Sequence, residues 1–288
     1  MQKQAGIISP ARSKYNPIDK LTTENVVNKQ ESIAFVWHKI VDEVAVVIKD
    51  EPMLANFLQT TVLDHSNMGE SLGFHLASKL SSKAIPLATL LPLFNEIFAS
   101  DQVLYAASRD IQATVDRDSA CSVYSTPFLY FKGFLALQAY RVTHQLWNRG
   151  NQSLALMLQH SISTHFAVDI HPAAKIGSGI LIDHATGLVI GETAVVEDSV
   201  SIMQSVTLGG TGKESGDRHP KIRKNVLLGP GAKVLGNIEV AEGSMVAASS
   251  VVLKSVPAHS IIAGVPAEVV GKADVDKPSK DMNHYFKS

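Results

Sequence analysis

An aliphatic residue returns at every sixth position through much of the second half of the chain. The period begins at Ile170, slips by two residues after Ile182 and by eight after Leu208. Its thirteen members are Ile170, Ile176, Ile182, Ile190, Val196, Ile202, Leu208, Ile222, Leu228, Val234, Val240, Val246 and Val252. One hexad is a short strand with a corner, and three hexads close a triangular coil. The period therefore predicts a parallel β-helix whose aliphatic side chains fill a narrow prism.

The aromatic residues stop where this repeat begins. Of the 18 Phe, Tyr and Trp residues, 16 lie in residues 1–166 and none in 167–280. Glycine shows the opposite distribution, with 5 residues in 1–166 and 14 in 167–288. Rings do not fit regularly inside a narrow prism, whereas its tight corners favour glycine. The chain is therefore expected to contain two domains of different construction.

The first half of the chain shows helical periodicity instead, as at Ile33, Val36, Ile40 and Val44. Similar patterns predict helices over residues 53–58, 66–80, 86–99, 101–116, 125–147 and 151–163. The predicted fold is a multidomain α+β chain, with an N-terminal all-α domain followed by a C-terminal left-handed parallel β-helix. Its predicted parts are a flexible arm (1–30), a helical assembly domain (31–166), the β-helix (167–272) and a C-terminal tail (273–288).

Composition argues against several classes of function. Lys and Arg number 26 against 27 Asp and Glu, for a net charge of -1, which disfavours a nucleic-acid-binding or acidic-membrane-binding surface. No apolar run reaches the roughly 18 residues that a membrane-spanning helix needs, and residues 1–30 lack the apolar stretch of a signal peptide. Cys121 is the only cysteine, so an internal disulfide is excluded. A cytoplasmic protein is expected.

Two segments interrupt the six-residue period, and interruptions of a solenoid are expected to carry function. They are DHATG (183–187) and GGTGKESGDRHPK (209–221). Each contains a histidine and charged residues, which packing of the prism does not explain.

With these segments the chain resembles the serine O-acetyltransferases of the hexapeptide-repeat acyltransferase superfamily. The resemblance spans residues 31–282 and rests on YSTPFLYFKGFLALQAYR (124–141), VDIHPAAKIG (168–177), DHATG, QSVTLGGTGK (204–213), GDRHPKI (216–222) and AGVPA (263–267). It implies acetyl transfer from acetyl-CoA to the hydroxyl of L-serine, a step toward cysteine, without a metal and with inhibition by cysteine. It also implies homotrimers built through the β-helices, usually paired into homohexamers (dimers of trimers), with active sites between adjacent β-helices.

By this resemblance, His184 is the general base that removes the proton of the serine hydroxyl, and Asp169 orients its ring. Asp169 precedes His184 by fifteen residues, whereas a coil of three hexads has eighteen, so their contact depends on the corner geometry. Asp183 is the neighbour of His184, and neighbours on a strand point to opposite faces, which makes Asp183 the better substrate ligand.

The resemblance also implies the substrate ligands. Asp118 and Asp183 would bind the serine ammonium, although Asp118 alone equally fits a helix cap. Arg218 would bind the carboxylate, where a guanidinium can act bidentately, with His219 nearby. The coenzyme would lie along the groove between β-helices, and its contacts are expected at Gly210, Pro230 and Ala248.

Three other functions are weighed against this one. An O-acetyltransferase for a sugar or antibiotic hydroxyl is disfavoured by the large helical domain and Asp118. A β-helical carbonic anhydrase needs three histidines converging on zinc, and the spacings of His171, His184 and His219 do not suggest it. A non-catalytic scaffold does not explain why both interruptions contain a histidine and charged residues.

The C-terminus differs from that of many bacterial family members. They end in an isoleucine that inserts into O-acetylserine sulfhydrylase, whereas this chain ends in Ser288. A complex with that enzyme through this terminus is therefore not expected.

Overall fold

The computed structural model describes residues 29–212 and 215–284. Most of the predicted N-terminal arm and the last four residues of the predicted tail lie outside the described residues. Eight α-helices precede the first strand: α1 (Lys29–Asp50), α2 (Ala55–Leu58), α3 (Met68–Leu80), α4 (Leu87–Phe98), α5 (Asp101–Arg117), α6 (Ser125–Tyr130), α7 (Lys132–Asn148) and α8 (Gln152–Phe166). A 3-10 turn (Pro52–Leu54) and a π turn (Gln59–Leu63) flank α2.

The single helix predicted over residues 125–147 is two helices in the structure. The chain becomes extended at Phe131, with ψ 107°, between α6 and α7. The break changes the direction of the chain, so that the start of α7 approaches the β-helix at Gly133. The core of the helical domain contains aromatic rings, with Phe94, Phe98 and Phe128 fully buried.

The remainder of the described chain is built of fifteen short strands and one further helix. They are β1 (Val168–Ile170), β2 (Lys175–Ile176), β3 (Leu181–Ile182), β4 (Leu188–Ile190), β5 (Val195–Val196), β6 (Ser201–Ile202), β7 (Thr207–Gly209), β8 (Lys221–Ile222), β9 (Leu227–Leu228), β10 (Lys233–Leu235), β11 (Glu239–Val240), β12 (Met245–Val246), β13 (Val251–Val252), β14 (Ser260–Gly264), β15 (Ala267–Lys272) and α9 (Pro278–Asp281).

The strands form three faces of a prism, which confirms the predicted β-helix. Face A contains β1, β4, β7, β10 and β13, face B contains β2, β5, β8 and β11, and face C contains β3, β6, β9, β12, β14 and β15. All of their pairings are parallel except the last, β14 with β15. Twelve of the thirteen aliphatic residues are buried, and the other, Ile176, is partly exposed and lines a cavity beside α7.

Two edges of this prism matter for the site. The corners that lead from face C to face A stack into one edge, called here the C/A edge, which comprises residues 183–187, 203–206, 229–232 and 247–250. The corners from face A to face B form the A/B edge, whose described residues are 171–174, 191–194, 210–212, 215–220 and 236–238. The first interruption of the period therefore lies on the C/A edge, and the second lies on the A/B edge.

Two helices pack against the prism at different places. Helix α8 leads directly into β1 and packs against it. At the other end of the chain, α9 returns to α5, where the backbone carbonyl of Ser279 accepts a hydrogen bond of 2.7 Å from the Ser201 hydroxyl. No helix within the described ranges is long and apolar enough to cross a bilayer.

Candidate active site

The corner at residues 183–187 presents His184 to solvent. His184 and Ala185 both have left-handed backbone, with φ 54° and 61°, which is unfavourable for residues other than glycine and is typical of functional sites. The turn is closed by hydrogen bonds from the amide of Ala185 to the Asp183 carbonyl (2.6 Å) and from the amide of Thr186 to the His184 carbonyl (2.7 Å). The imidazole of His184 is 68% exposed as a result.

The start of α7 holds this corner in place. A Cβ at Gly133 would lie 2.1 Å from the carbonyl oxygen of Ile182, so only glycine permits this approach. The adjacent Lys132 ammonium donates a hydrogen bond to the hydroxyl of Thr186. Neither residue was predicted from the sequence, and the only signal was a glycine near the start of an apolar helix.

One carboxylate lies beside His184, and a second lies close enough to act on the first. The side chain of Asp183 is 22% exposed, and its Oδ1 lies 3.7 Å from Nδ1 of His184. Burial raises the pKa of Asp183, the nearby charge of Asp118 raises it further, and His184 and His284 act in the opposite direction. The structure thus places Asp183 next to the predicted base, and it places Asp118 within range of an electrostatic effect on Asp183.

Asp118 ends α5 and also stabilises the loop that follows. Its Oδ1 accepts a 2.8 Å hydrogen bond from the amide of Ala120, which forms a turn after the helix. Its backbone amide, rather than its side chain, caps α5 by donating to the Thr114 carbonyl. Glu43 of α1 holds the far end of this loop by accepting hydrogen bonds from the amides of Tyr124 (3.1 Å) and Ser125 (2.7 Å). Glu43 was not predicted from the sequence because it lies more than 70 residues from the loop.

Arg218 and His219 are organised by the A/B edge. The hydroxyl of Thr193 accepts hydrogen bonds from the amides of Arg218 (3.0 Å) and His219 (3.1 Å). The Arg218 guanidinium donates a 2.6 Å bond to Glu192, and this bond holds the pKa of Glu192 below its usual range. Glu192 and Thr193 were not singled out in the sequence, although they directly follow a strand of the repeat.

The ring of His219 is packed into this edge. His219 is only 7% exposed, and its Nδ1 accepts a 3.2 Å hydrogen bond from the amide of Thr193. Because Nδ1 accepts from an amide, the ring is neutral with its proton on Nε2. Burial lowers the pKa of His219, and the Arg218 charge lowers it further. A Cβ at Gly191 would lie 2.0 Å from that Nε2, which makes glycine necessary there.

Asp169 lies on the outer surface of face A, between the two edges. It pairs with Val189 in the β1–β4 register, and its carboxylate accepts a 2.7 Å hydrogen bond from the side chain of Gln159. Within the described residues, this carboxylate makes no hydrogen bond to His184. Its role in orienting the base therefore stays a prediction.

The predicted coenzyme contacts are divided between the edges. Pro230 and Ala248 lie on the C/A edge in successive coils, where the amide of Ser249 donates a 2.8 Å bond to the Pro230 carbonyl. Because His184 is on the same edge, a long ligand along it would pass these residues. Gly210 instead lies on the A/B edge, where a Cβ would be 3.4 Å from Cγ of Arg218.

Comparisons with known proteins assign the family. A model of the N-terminal region of serine acetyltransferases matches residues 36–139. The serine acetyltransferase of Escherichia coli (strain K12) is 55% identical over 257 residues, which cover 89% of this chain and 94% of that protein. The chain belongs to the serine acetyltransferases. The resemblance inferred from its motifs is confirmed.

Solved serine acetyltransferases share the whole fold. One, determined in complex with cysteine, is 52% identical with a TM-score of 0.86, and the match covers 88% of this chain and 99% of that chain. Another, from Brucella abortus strain S19 in complex with coenzyme A, is 47% identical with a TM-score of 0.82. This match covers 84% of this chain and 98% of that chain. Among the residues described for this serine acetyltransferase, no three His, Cys, Asp or Glu side chains converge as a metal site would require.

Proposed function

We propose that this chain transfers the acetyl group of acetyl-CoA to the hydroxyl of L-serine, giving O-acetyl-L-serine and CoA. The observation that carries the proposal is an exposed imidazole, His184, beside the carboxylate of Asp183, on which the charge of Asp118 also acts. This arrangement pairs a base with a site for a cationic amine. Family membership supports both substrates, as do the relatives solved with cysteine and with coenzyme A.

The chemistry follows from these side chains. An alcohol is barely ionised near neutral pH, so its attack on a thioester needs a base within hydrogen-bond reach. Neutral His184 accepts the serine proton as the serine oxygen bonds to the acetyl carbon, and the carbon–sulfur bond then breaks. The imidazolium returns the proton to the CoA thiolate, which leaves the enzyme unchanged.

Thiol release from acetyl-CoA tests the reaction directly. The purified chain should release CoA when L-serine is added, and galactosides should not replace L-serine. Release that depends on a sugar hydroxyl and not on serine would instead indicate the sugar or antibiotic O-acetyltransferase.

The positions of the substrate ligands favour a shared active site. Asp118 and Asp183 lie at the C/A edge, whereas Arg218 lies at the A/B edge of the same face. A three-residue strand between the edges spans about 10 Å, but the ammonium and carboxylate of serine are attached to one carbon. This separation of the two sets of ligands on one prism favours a serine held between two prisms. The C/A edge of one copy would face the A/B edge of the next in the homotrimer that the family resemblance implies, with two trimers paired through the helical domains into a homohexamer.

Mixed assemblies of two inactive variants should recover activity. We expect His184→Ala and Arg218→Ala each to be weakly active alone, because each lacks one half of every site. In co-expressed trimers with random subunit order, about a quarter of the sites would combine an intact His184 with an intact Arg218. Serine-dependent CoA release by the purified mixture measures this recovery. Activity that stays at the level of the separate variants would contradict the shared site.

Cysteine should compete with serine at this site. It has the same ammonium and carboxylate, and its thiol would occupy the place of the hydroxyl beside His184. We therefore propose feedback inhibition by cysteine, with Asp118, Asp183 and Arg218 as shared ligands.

The affinity for serine should weaken as the pH falls. Because the pKa of Asp183 is raised, its carboxyl becomes neutral at a higher pH than an ordinary aspartate and then no longer attracts the substrate ammonium. KM for serine should rise on the acid side while KM for acetyl-CoA changes little. Asp183→Asn should raise KM for serine and flatten its pH profile, whereas Asp42→Asn, on the exposed side of α1, should not. An unchanged profile in Asp183→Asn would refute this role.

A further inference from the structure

A small cavity lies where α5, the β-helix and the C-terminal segment meet. Its volume is about 60 Å³, and it is lined by Arg109, Ala113, Asp116, Arg117, Gly179 and Lys280. Three of these side chains are cationic and one is anionic, so the lining carries a net positive charge. None of them belongs to the ligands proposed for serine or the coenzyme.

The charge of Arg117 is incompletely compensated by the protein. Its Nη1 donates to the Ser201 hydroxyl (3.1 Å) and the Val200 carbonyl (3.4 Å). Across residues 29–212 and 215–284, neither Arg109 nor Arg117 forms an ion pair with a carboxylate. Burial lowers the pKa of Arg117 to about 10, and the like charge of Arg109 adds to this shift, whereas the carboxylates of Asp116 and Asp110 oppose it without reversing it. A charge removed from water without a partner is unfavourable, and an anion in the cavity would relieve this.

The size of the cavity restricts what it could hold. A water molecule needs about 10–15 Å³ of such volume, so 60 Å³ has room for a few oxygen atoms but not for a nucleotide or coenzyme. Guanidinium groups bind oxyanions through parallel N–H bonds. We propose that this cavity binds an inorganic tetrahedral oxyanion, sulfate or phosphate, between Arg109, Arg117 and Lys280.

An anion here would join the C-terminal segment to the rest of the molecule. The segment is already held at Ser279, whose hydroxyl donates a 2.5 Å bond to the Ser199 carbonyl. Lys280 adds one side of the cavity, and α5 provides the opposite side. Arg117 directly precedes Asp118, so an occupied site would also fix the end of α5 that leads into the proposed substrate site.

Thermal unfolding of the full chain tests the proposal at constant ionic strength. Sodium chloride is replaced stepwise by sodium sulfate, sodium phosphate or sodium acetate, and isothermal titration calorimetry measures sulfate binding directly. A ligand specific for the folded state should raise Tm by about 2–4 °C near saturation. Sulfate and phosphate should both give a saturable rise, and acetate should give a smaller one.

Variants separate the cavity from general salt effects. Arg109→Gln and Lys280→Gln should lose most of the rise and the heat of sulfate binding. Arg149→Gln is the matched control, because Arg149 is an exposed arginine paired with Glu96 and lies away from this cavity. Equal rises in Tm for the unmodified chain and for all three variants would indicate only the exclusion of salt from protein surfaces. That result would overturn the proposal. So would the absence of a saturable heat, or an acetate effect as large as that of sulfate.

Discussion

Replacing His184 by alanine is expected to lower kcat by about 10²–10⁴, the usual contribution of positioned acid–base catalysis. The side chain removes the serine proton and returns it to CoA, so both halves of the transfer lose their proton carrier. KM for serine should change much less, because the ammonium and carboxylate ligands remain.

The fold should survive this substitution. The His184 ring is 68% exposed, and the corner is closed by backbone hydrogen bonds that alanine also makes. His38→Ala is the control, since His38 is an exposed histidine on α1, and its activity and Tm should match those of the unmodified chain. A folded His184→Ala chain with full activity would exclude His184 as the base.

The interior of the prism was predictable because it follows a local rule. A six-residue period specifies which side chain of each hexad points inward, and twelve of the thirteen aliphatic residues are buried accordingly. Ile176 is the exception because its strand faces the cavity beside α7, with Tyr140 and Arg141 in the lining. The period describes how each coil packs on the next. It does not show which residues of the prism the helical domain leaves exposed.

The site was only partly predictable for the same reason. Its motif residues were visible as interruptions of the period, and Asp183 and His184 lie together because they are adjacent in sequence. Their supports come from distant positions: Glu43 orders the loop after Asp118, and Thr193 holds Arg218 across 25 residues. The repeat also does not show which interruption lies on which edge, so the separation of Gly210 from Pro230 and Ala248 emerged only from the structure.

The domain contact at Gly133 links stability to activity. In Gly133→Ala, the new Cβ would meet the carbonyl oxygen of Ile182 at 2.1 Å. Because this oxygen belongs to the backbone of the β-helix, no side-chain rotation can relieve the clash. Alanine favours a helix by about 0.5–1 kcal/mol over glycine, but overpacking costs about 1–3 kcal/mol or more. We therefore expect a net loss of stability, with Tm lower by about 2–4 °C for each kcal/mol lost.

The same substitution should also lower kcat, because Ile182 is two residues from His184 and the corner must move with it. A displacement approaching 1 Å can reduce a rate by about 10². Gly73→Ala in α3 is the comparison: its Cβ would meet the side-chain oxygen of Asn95 at 2.3 Å, which can rotate away, and the site is not involved. Calorimetry and serine-dependent CoA release measure both effects. If Gly133→Ala kept the kcat and Tm of the unmodified chain, this contact would not position the base.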